Sequence, residues 1–223
     1  MGIYERKERE KNERRALILD MARRLILERG VDSVSMQELA NACELSKGAL
    51  YLYFDNKEAL LAEIFHEAAS AFIGYVHERI RPEDTGLQAI HRLWSSYLEL
   101  FGQSSDIIVL FGVKNALAPE YPWKAEADSG DAIPETAAML GLIADILAKG
   151  VADGSLDPAV VPDRVAHSIM MIAGGIVENI ARLPVQMRNH TLILEEMKTT
   201  FEIVLRGIAS RTCDPGLLNL SGE

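Results

Sequence analysis

The sequence predicts an all-α protein, and three observations support this fold class. Apolar residues recur at helical spacing through most of the 223 residues, and no segment shows the alternation of a half-buried strand. Ser, Asn and Asp stand where helices would begin, whereas Gly and Pro stand where they would end. Residues 35–57 also predict two short helices joined by a tight turn. We expect about nine helices, arranged as a three-helix domain over residues 1–57 and a larger helical domain over residues 58–223.

The short segment that begins at Ser35 carries the clearest local pattern. Ser35, followed three residues later by Glu38, forms a capping box in which each residue hydrogen-bonds to the backbone of the other. Ser46 caps a second helix, and only residues 43–45 separate the two helices. A turn this short sets two helices at a steep angle, which is the helix-turn-helix arrangement that places one helix in the DNA major groove.

An amphipathic helix precedes this segment and a longer one follows it. Apolar residues at positions 18, 22, 25 and 26 define the first helix, which Gly30 would end. From Asn56 the apolar pattern continues to Ile80, so the second helix would run for about seven turns. Further helices are predicted over residues 85–101, 106–118, 134–154, 163–182 and 191–210, with a loop at 119–134 and a loose tail from residue 214.

The acidic charge of the chain is concentrated in its second part. The net charge is −10, yet residues 1–57 hold 11 Lys and Arg against 10 Asp and Glu. A DNA-binding face needs local positive charge rather than a basic protein, so the composition does not exclude one. Basic residues alternate with glutamates from Arg6 to Arg15. This segment is either a helix stabilised by its own ion pairs or an arm that touches DNA.

Other classes of protein are disfavoured by the composition and motifs. No apolar run reaches the roughly 20 residues that cross a membrane, and the charged N-terminus is no signal peptide. The two cysteines fit a reducing cytoplasm. Glu63 and His66 form one Glu-x-x-His pair, but a helical metal site needs two. We therefore expect a cytoplasmic protein that is not an enzyme and has no metal site, cofactor or membrane partner.

The last two predicted helices carry more apolar surface than one face requires. A helix that is apolar nearly all round is buried on more than one side. One explanation is a four-helix bundle formed with a second copy across a two-fold axis, and the other is the core of a monomer. The candidate interface residues are Ile169, Ala173, Ile176, Met197, Phe201 and Val204.

Residues 18–61 resemble the TetR family of bacterial transcriptional regulators. The motifs that carry the resemblance are Glu28-Arg29-Gly30, Ser35-Met36-Gln37-Glu38-Leu39-Ala40, Ser46-Lys47-Gly48-Ala49-Leu50-Tyr51 and Tyr53-Phe54-Asp55-Asn56-Lys57-Glu58-Ala59-Leu60. Beyond residue 61 the chain resembles the family only in the order of its predicted elements, an all-helical regulatory domain that ends in a helix pair suited to dimerisation. The resemblance implies a homodimer that binds double-stranded operator DNA and releases it when a small-molecule effector enters the second, regulatory domain.

The resemblance also implies which residues contact DNA. Lys47 would meet a phosphate or a guanine edge, and Tyr51 would be the main aromatic contact. Two positions depart from the family pattern, because Glu44 stands where Gly is common and Leu52 stands where an aromatic or polar residue is common. The full set of implied DNA contacts is Ser35, Gln37, Ser46, Lys47, Gly48, Ala49, Tyr51, Tyr53 and Lys57.

The effector pocket has no motif of its own in the sequence, so its residues are inferred from the helices that line it in the family. Aromatic and Met side chains there would suit a hydrophobic or amphipathic molecule, although plain core packing also explains them. The favoured function is a repressor released by such a molecule. The alternative is a DNA-bound interaction protein or activator without small-molecule induction. The candidate pocket residues are Trp94, Tyr97, Phe101, Phe111, Asn115, Met139 and Met171.

Overall fold

The computed structural model of the chain describes residues 3–103, 113, 134–182 and 189–220. These residues form eight α-helices and no β-strand, so the all-α prediction is confirmed. The predicted helix over residues 106–118, apart from residue 113, and the candidates Phe111 and Asn115 lie outside the described residues. The helices are α1 (Ile3–Arg29), α2 (Met36–Ala42), α3 (Lys47–Tyr51), α4 (Lys57–Arg79), α5 (Gly86–Gln103), α6 (Pro134–Ala152), α7 (Pro162–Arg182) and α8 (His190–Ile208).

Two hydrophobic cores organise the chain, and α4 takes part in both. The N-terminal core holds Ile18 of α1, Leu39 of α2 and Leu50 of α3 together with Ile64 of α4. The second core joins α5, α6, α7 and α8, and it includes Val76 near the end of α4. The first turns of α4 therefore complete the N-terminal core. The predicted domain boundary at residue 57 would assign these turns to the second domain instead.

The N-terminal half of α1 is a solvent-exposed helical extension. Arg6 and Glu10 form an ion pair at 3.4 Å, and Arg9 and Glu13 form another at 3.6 Å, each one helical turn apart. Such pairs stabilise an isolated helix by a few tenths of a kcal/mol each, on the order of 0.3. The structure thus contains the helix with its own ion pairs that the charge alternation predicts as one of two alternatives.

The composition of α4 alone would allow it to cross a membrane, since its 23 residues include an 18-residue window that is strongly apolar. Its packing gives another reason for this composition. Leu60, Leu61 and Phe65 are buried in the N-terminal core, and Val76 is buried in the second core. A helix that contacts two cores requires apolar residues on more than one face.

The start of α5 is held by side chains that follow α6. The backbone N–H of Gly86 donates to Asp153 Oδ2 at 2.8 Å, and that of Leu87 donates to Ser155 Oγ at 3.0 Å. A Cβ atom at residue 86 would lie 2.2 Å from the Cα atom of Gly150, so only glycine fits this crossing. The two helices therefore touch backbone to backbone at this end.

The C-terminal segment, predicted to be a loose tail, is instead packed on the second core. Residues Pro215–Leu218 form a 3-10 helix, and Leu220 is buried. The backbone N–H of Leu220 donates to Glu202 Oε1 at 2.9 Å, and Arg206 donates to Asn219 Oδ1 at 3.1 Å. The prediction was wrong because the three leucines at positions 217, 218 and 220 form too short a run to carry a helical period.

Glu44 has a backbone φ of 56° in the turn between α2 and α3. This is the left-handed region, which costs a residue with a Cβ atom about 1 kcal/mol relative to glycine. We expect Glu44→Gly to raise the free energy of unfolding by about 0.5–1 kcal/mol and the melting temperature by about 1–4 °C. Differential scanning calorimetry measures both quantities.

A matched control introduces glycine at a position that has ordinary α-helical backbone angles. Ala71 is an exposed residue in the middle of α4. Ala71→Gly should lower the free energy of unfolding by about 0.5–1 kcal/mol, because glycine loses more backbone entropy on folding. If both variants shift the melting temperature in the same direction, the strain assigned to Glu44 is wrong.

Candidate functional site

Capping interactions define both helices of the helix-turn-helix, as the sequence predicts. The Ser35 hydroxyl accepts from the Glu38 backbone N–H at 3.2 Å, and the Glu38 carboxylate accepts from the Ser35 N–H at 2.9 Å. Ser46 Oγ accepts from the Ala49 N–H at 3.1 Å at the start of α3. The predicted capping box is thus confirmed, and a serine side chain defines the start of each of the two helices.

Helix α3 presents its polar and aromatic residues outward while Leu50 anchors it in the N-terminal core. Lys47 and Tyr51 are exposed and neighbours, with Lys47 Nζ 5.9 Å from the centre of the Tyr51 ring. Gly48 is exposed, and a Cβ atom there would meet no other atom within 4 Å. Because no intramolecular contact requires glycine at this position, the open space above it remains available to a partner.

Several predicted DNA contacts have additional partners inside the chain. Lys57 Nζ donates to the Val31 carbonyl at 2.7 Å, so it also holds the segment after α1. Gln37 Nε2 donates to Asn41 Oδ1 at 3.0 Å on the exposed side of α2. Tyr53 is half-buried against the N-terminal core. These three side chains are therefore less free to reach a partner than Lys47 is.

Leu52, where the sequence departs from the family pattern, lies directly after α3. Its side chain is 79% exposed, more than the 39% exposure of Tyr51. An apolar residue in that position cannot donate a hydrogen bond to phosphate, but it can contact a thymine methyl group or a sugar. The exposed face of α3 thus combines one cation, one tyrosine and one apolar residue.

Two ion pairs fasten α4 to α1. Arg15 pairs with Glu63, and Arg23 pairs with Glu67. The Arg15 guanidinium also lies 4.8 Å from the centre of the Phe54 ring, just before α4. Both arginines lie on α1 and both glutamates lie on α4. A movement of α4 would therefore pull on α1, which packs with α2 and α3 in the N-terminal core. The Glu-x-x-His spacing suggested a metal ligand at Glu63, whereas its ion pair with Arg15 has no local signal in the sequence.

An apolar cavity lies between α4, α5, α6 and α7. Its enclosed volume is about 50 Å³, and its empty space reaches about 580 Å³ when the mouth open to solvent is included. Three predicted pocket residues, Trp94, Tyr97 and Met139, line it. The complete lining is Phe65, Ala69, Phe72, Leu93, Trp94, Tyr97, Glu135, Thr136, Met139, Ile143, Ile169, Met170 and Ala173.

Two predicted pocket residues are corrected by the structure. Phe101 is fully buried in the second core and does not line the cavity. Met171 is 41% exposed on the outer surface of α7, whereas its neighbour Met170 faces the cavity. A one-residue step turns a helix by about 100°, so the sequence placed the correct residue type on the wrong face.

Polar groups at this cavity are few. Burial raises the pKa of Tyr97, so its phenol stays neutral, and its hydroxyl donates to the Ala173 carbonyl at 3.5 Å. Glu135 lines the cavity and contacts His66 of α4. In the described part of the chain, no group of three or more His, Cys, Asp or Glu residues is arranged to hold a metal ion.

The predicted dimer interface also requires correction. Ile169, Ala173, Met197 and Phe201 are buried within the single chain, and Phe201 stacks on Trp94 with the ring centres 3.8 Å apart. The prediction assigned to a partner a face that packs on α5 and α6 instead. The other two candidates, Ile176 and Val204, are half-buried against the second core.

A different set of apolar side chains lies on the outer surface of α7 and α8. Met171 of α7 is exposed, as are Leu192 and Ile203 of α8, the last with 62% of its surface accessible. Large exposed apolar side chains on adjacent helices are a feature of surfaces that associate. The signal for them in the sequence was hidden, because α7 and α8 each carry apolar residues on two faces.

Comparisons with known proteins match this architecture. A family model described as bacterial regulatory proteins, tetR family, matches residues 18–64. The HTH-type transcriptional regulator YuxN of Bacillus subtilis (strain 168), itself uncharacterized, is 45% identical over 54 residues, 24% of this chain and 19% of that protein. The chain spans less than half the length of two further Bacillus subtilis relatives, 37% of one and 48% of the other.

Solved structures share the whole fold at low sequence identity. A gamma-butyrolactone receptor (ArpA like protein) has a TM-score of 0.66 at 21% identity, covering 95% of this chain and 96% of that one. AibR, solved in complex with isovaleryl coenzyme A and operator DNA, has a TM-score of 0.59 at 23% identity, covering 82% and 95%. The fold and the exposed α3 define a protein of the helix-turn-helix class. Residues 18–64 match the tetR family of bacterial regulatory proteins, and the described chain as a whole shares the fold of these solved structures.

The capping box makes a pH-dependent contribution to stability. Hydrogen bonds from the Ser35 backbone and side chain hold the pKa of Glu38 below its ordinary value of 4.5. A lowered carboxyl pKa stabilises the fold above the unfolded-state pKa, and this stabilisation is lost as the pH falls through the folded-state pKa. We expect Ser35→Ala to raise the pKa of Glu38, as measured by carboxyl ¹³C NMR titration.

Ser46→Ala is the matched control for this titration. It removes the cap of α3, which involves no carboxylate, and should lower the free energy of unfolding by about 1 kcal/mol at any pH. The pKa of Glu38 should stay unchanged in this variant. An equal change of that pKa in both variants would contradict the assignment to Ser35.

Proposed function

We propose that the protein is a transcriptional repressor that binds operator DNA as a homodimer and releases it when a small molecule occupies the cavity. One observation carries the proposal: Phe65 of α4 is buried in the N-terminal core and also lines the cavity. A molecule that displaces this side chain acts directly on the core that positions α3. A DNA-binding role places the protein in the bacterial cytoplasm.

The proposed DNA contacts lie on α3 and at its start. Lys47 supplies a free cation beside the unsatisfied N–H groups of the helix start, and such groups favour phosphate. The exposed Tyr51 ring can stack on a sugar or donate from its hydroxyl. Ser35, which caps α2, and Gln37 of α2 are exposed as well. We propose that they contact the DNA backbone along the major groove that α3 enters.

The proposed release mechanism depends on the wall that α4 contributes to the cavity. Phe65, Ala69 and Phe72 of α4 line it on one side. The Arg15–Glu63 and Arg23–Glu67 ion pairs connect the same stretch of α4 to α1. A ligand lowers DNA affinity to the extent that it binds the displaced α4 more tightly than the undisplaced one. AibR, which shares this fold, was solved with both an acyl coenzyme A and operator DNA.

The proposed dimer forms through the outer surface of α7 and α8. In a two-fold dimer the same surface is buried on both protomers, so the exposed apolar residues of one protomer would pack against those of its partner. A dimer also gives two copies of α3, which match the two half-sites of a palindromic operator. The candidate surface comprises Met171, Leu192 and Ile203.

Substitutions on α3 test the proposed DNA contacts. The operator is first selected from random duplex DNA with the wild-type protein. We expect Tyr51→Ala to weaken operator binding on the order of 100-fold, since a base or backbone contact is lost in both protomers. Tyr51→Phe separates the hydroxyl from the ring. Fluorescence anisotropy measures the affinities, and unchanged binding by Tyr51→Ala would refute α3 as the reading helix.

The salt dependence of binding tests Lys47 in the same assay. Lys47→Ala should reduce the slope of log affinity against log salt concentration by about 2, because each protomer loses one phosphate contact. Arg211→Ala removes the same charge from an exposed site in the C-terminal segment. This control should leave the slope unchanged, and equal slopes for both variants would contradict a phosphate contact by Lys47.

The dimer surface is tested by a charge placed at its most exposed apolar residue. Ile203→Glu should weaken dimerisation on the order of 100-fold, because an unpaired carboxylate is buried in both protomers. Multi-angle light scattering over a dilution series measures the mass. Leu17→Glu, at an exposed apolar residue of α1, is the control and should remain dimeric. A dimeric Ile203→Glu variant would refute this surface.

A further inference from the structure

Two buried polar atoms at the cavity have no hydrogen-bond partner among the described residues. Trp94 is 1% exposed and Thr136 is 8% exposed, and both line the cavity. The indole Nε1 and the Thr136 hydroxyl are both left without a partner. A buried unpaired donor is costly, and proteins retain few of them without a reason. Trp94 lies on α5 and Thr136 on α6, so the two residues reach the cavity from different helices.

The remaining lining of the cavity limits what can satisfy these two donors. The indole N–H only donates, and the hydroxyl both donates and accepts. Among the described residues of the lining, all the others except Tyr97 and Glu135 are apolar. The Tyr97 hydroxyl already donates to the Ala173 carbonyl. An occupant therefore needs a hydrogen-bond acceptor on an otherwise apolar body.

The charge at the cavity narrows the class of occupant further. Glu135, next to Thr136, is an acidic residue of the lining, and its carboxylate contacts His66 of α4. Among the described residues, no Lys or Arg lines the cavity. Two like charges in a site of low dielectric constant repel strongly. A carboxylate or phosphate group on the ligand would meet this repulsion, and no Lys or Arg of the described lining would offset it.

We infer that the effector is a neutral, mainly apolar molecule whose carbonyl-type oxygen accepts hydrogen bonds from Trp94 Nε1–H and the Thr136 hydroxyl. This inference rests on the proposed function, since it names the chemical class of the molecule that the proposed repressor responds to. The Glu135 carboxylate disfavours fatty carboxylates and phosphorylated molecules in this cavity. The aromatic side chains of Phe72, Trp94 and Tyr97 surround the apolar part.

Three small aromatic probes of nearly equal size test the inference on the full-length protein. Acetophenone carries a neutral carbonyl, cumene replaces the carbonyl by a methyl-bearing carbon, and benzoate carries a negative charge. We expect acetophenone to bind at least about fivefold more tightly than cumene, since hydrogen bonds to buried donors are gained. Benzoate should bind most weakly. Isothermal titration calorimetry and NMR titration give the three affinities.

The indole N–H resonance gives a direct readout of the contact. The chain has two Trp residues, so Trp94→Phe identifies the Trp94 signal in the ¹H–¹⁵N spectrum. Acetophenone should move this signal downfield, as expected for an N–H that gains an acceptor, while cumene should not. The second Trp signal serves as the internal reference. Absence of a downfield shift with bound acetophenone would overturn the assignment of Trp94.

Thr136→Val and Ser96→Ala form the matched pair of variants. Thr136→Val keeps the shape of the side chain, and it should weaken acetophenone binding about fivefold without changing the affinity for cumene. Ser96 lies on α5 two residues from Trp94, and its hydroxyl is equally buried and unpartnered but does not line the cavity. Ser96→Ala should therefore leave all three affinities unchanged. Glu135→Gln should improve benzoate binding selectively.

The outcomes separate this inference from the proposed function. Equal binding of acetophenone and cumene, or tightest binding of benzoate, overturns the inferred ligand class and leaves the DNA-binding tests untouched. A complete lack of binding by the three probes at millimolar concentration also overturns it. If acetophenone binds as expected but saturating amounts leave the affinity for the selected operator unchanged, the ligand class stands and the proposed release mechanism is refuted.

Discussion

The rest of the structure depends on the double role of α4. One helix supplies Leu60, Leu61 and Ile64 to the core under α2 and α3, and it supplies Ala69 and Phe72 to the wall of the cavity. Protein cores are close-packed, so a side chain that moves in one forces its neighbours to move as well. A rearrangement of the cavity wall would therefore also displace side chains in the core that holds Leu50 of α3.

The second core gives this arrangement a rigid support. Trp94 of α5 stacks on Phe201 of α8, and Tyr97 meets both Phe201 and Phe72 edge to face. Such aromatic pairs contribute about 1 kcal/mol beyond the area that they bury. Three of these rings belong to helices behind or beside the cavity, while Phe72 belongs to α4. The cavity therefore has one wall shared with the DNA-binding unit and the others fixed by the core.

Local signals were predictable from the sequence, and the choice between two apolar faces was not. Ser35 and Ser46 each cap the helix that they were expected to begin, and Glu44 has a positive φ in the turn between these helices. Caps and turns are predictable because they depend on a few adjacent residues. Which side of α7 meets α5 and which stays exposed depends on residues more than 70 positions away, as in the Tyr97 contact with Ala173. Hydrophobic periodicity does not carry that information, so Ala173 and Met171 were each assigned to the wrong environment.

The crossing of α5 and α6 at Gly86 and Gly150 also constrains how the cavity can change size. The backbones touch there, and Asp153 and Ser155 tie the start of α5 to the segment after α6. Met139 lies 11 residues before Gly150, about 16 Å along the same helix at 1.5 Å per residue. The crossing at Gly86 and Gly150 thus acts as a fixed pivot between α5 and α6. The two helices can spread at the cavity while their far ends stay joined, so a small angular change becomes a larger displacement where a ligand would bind.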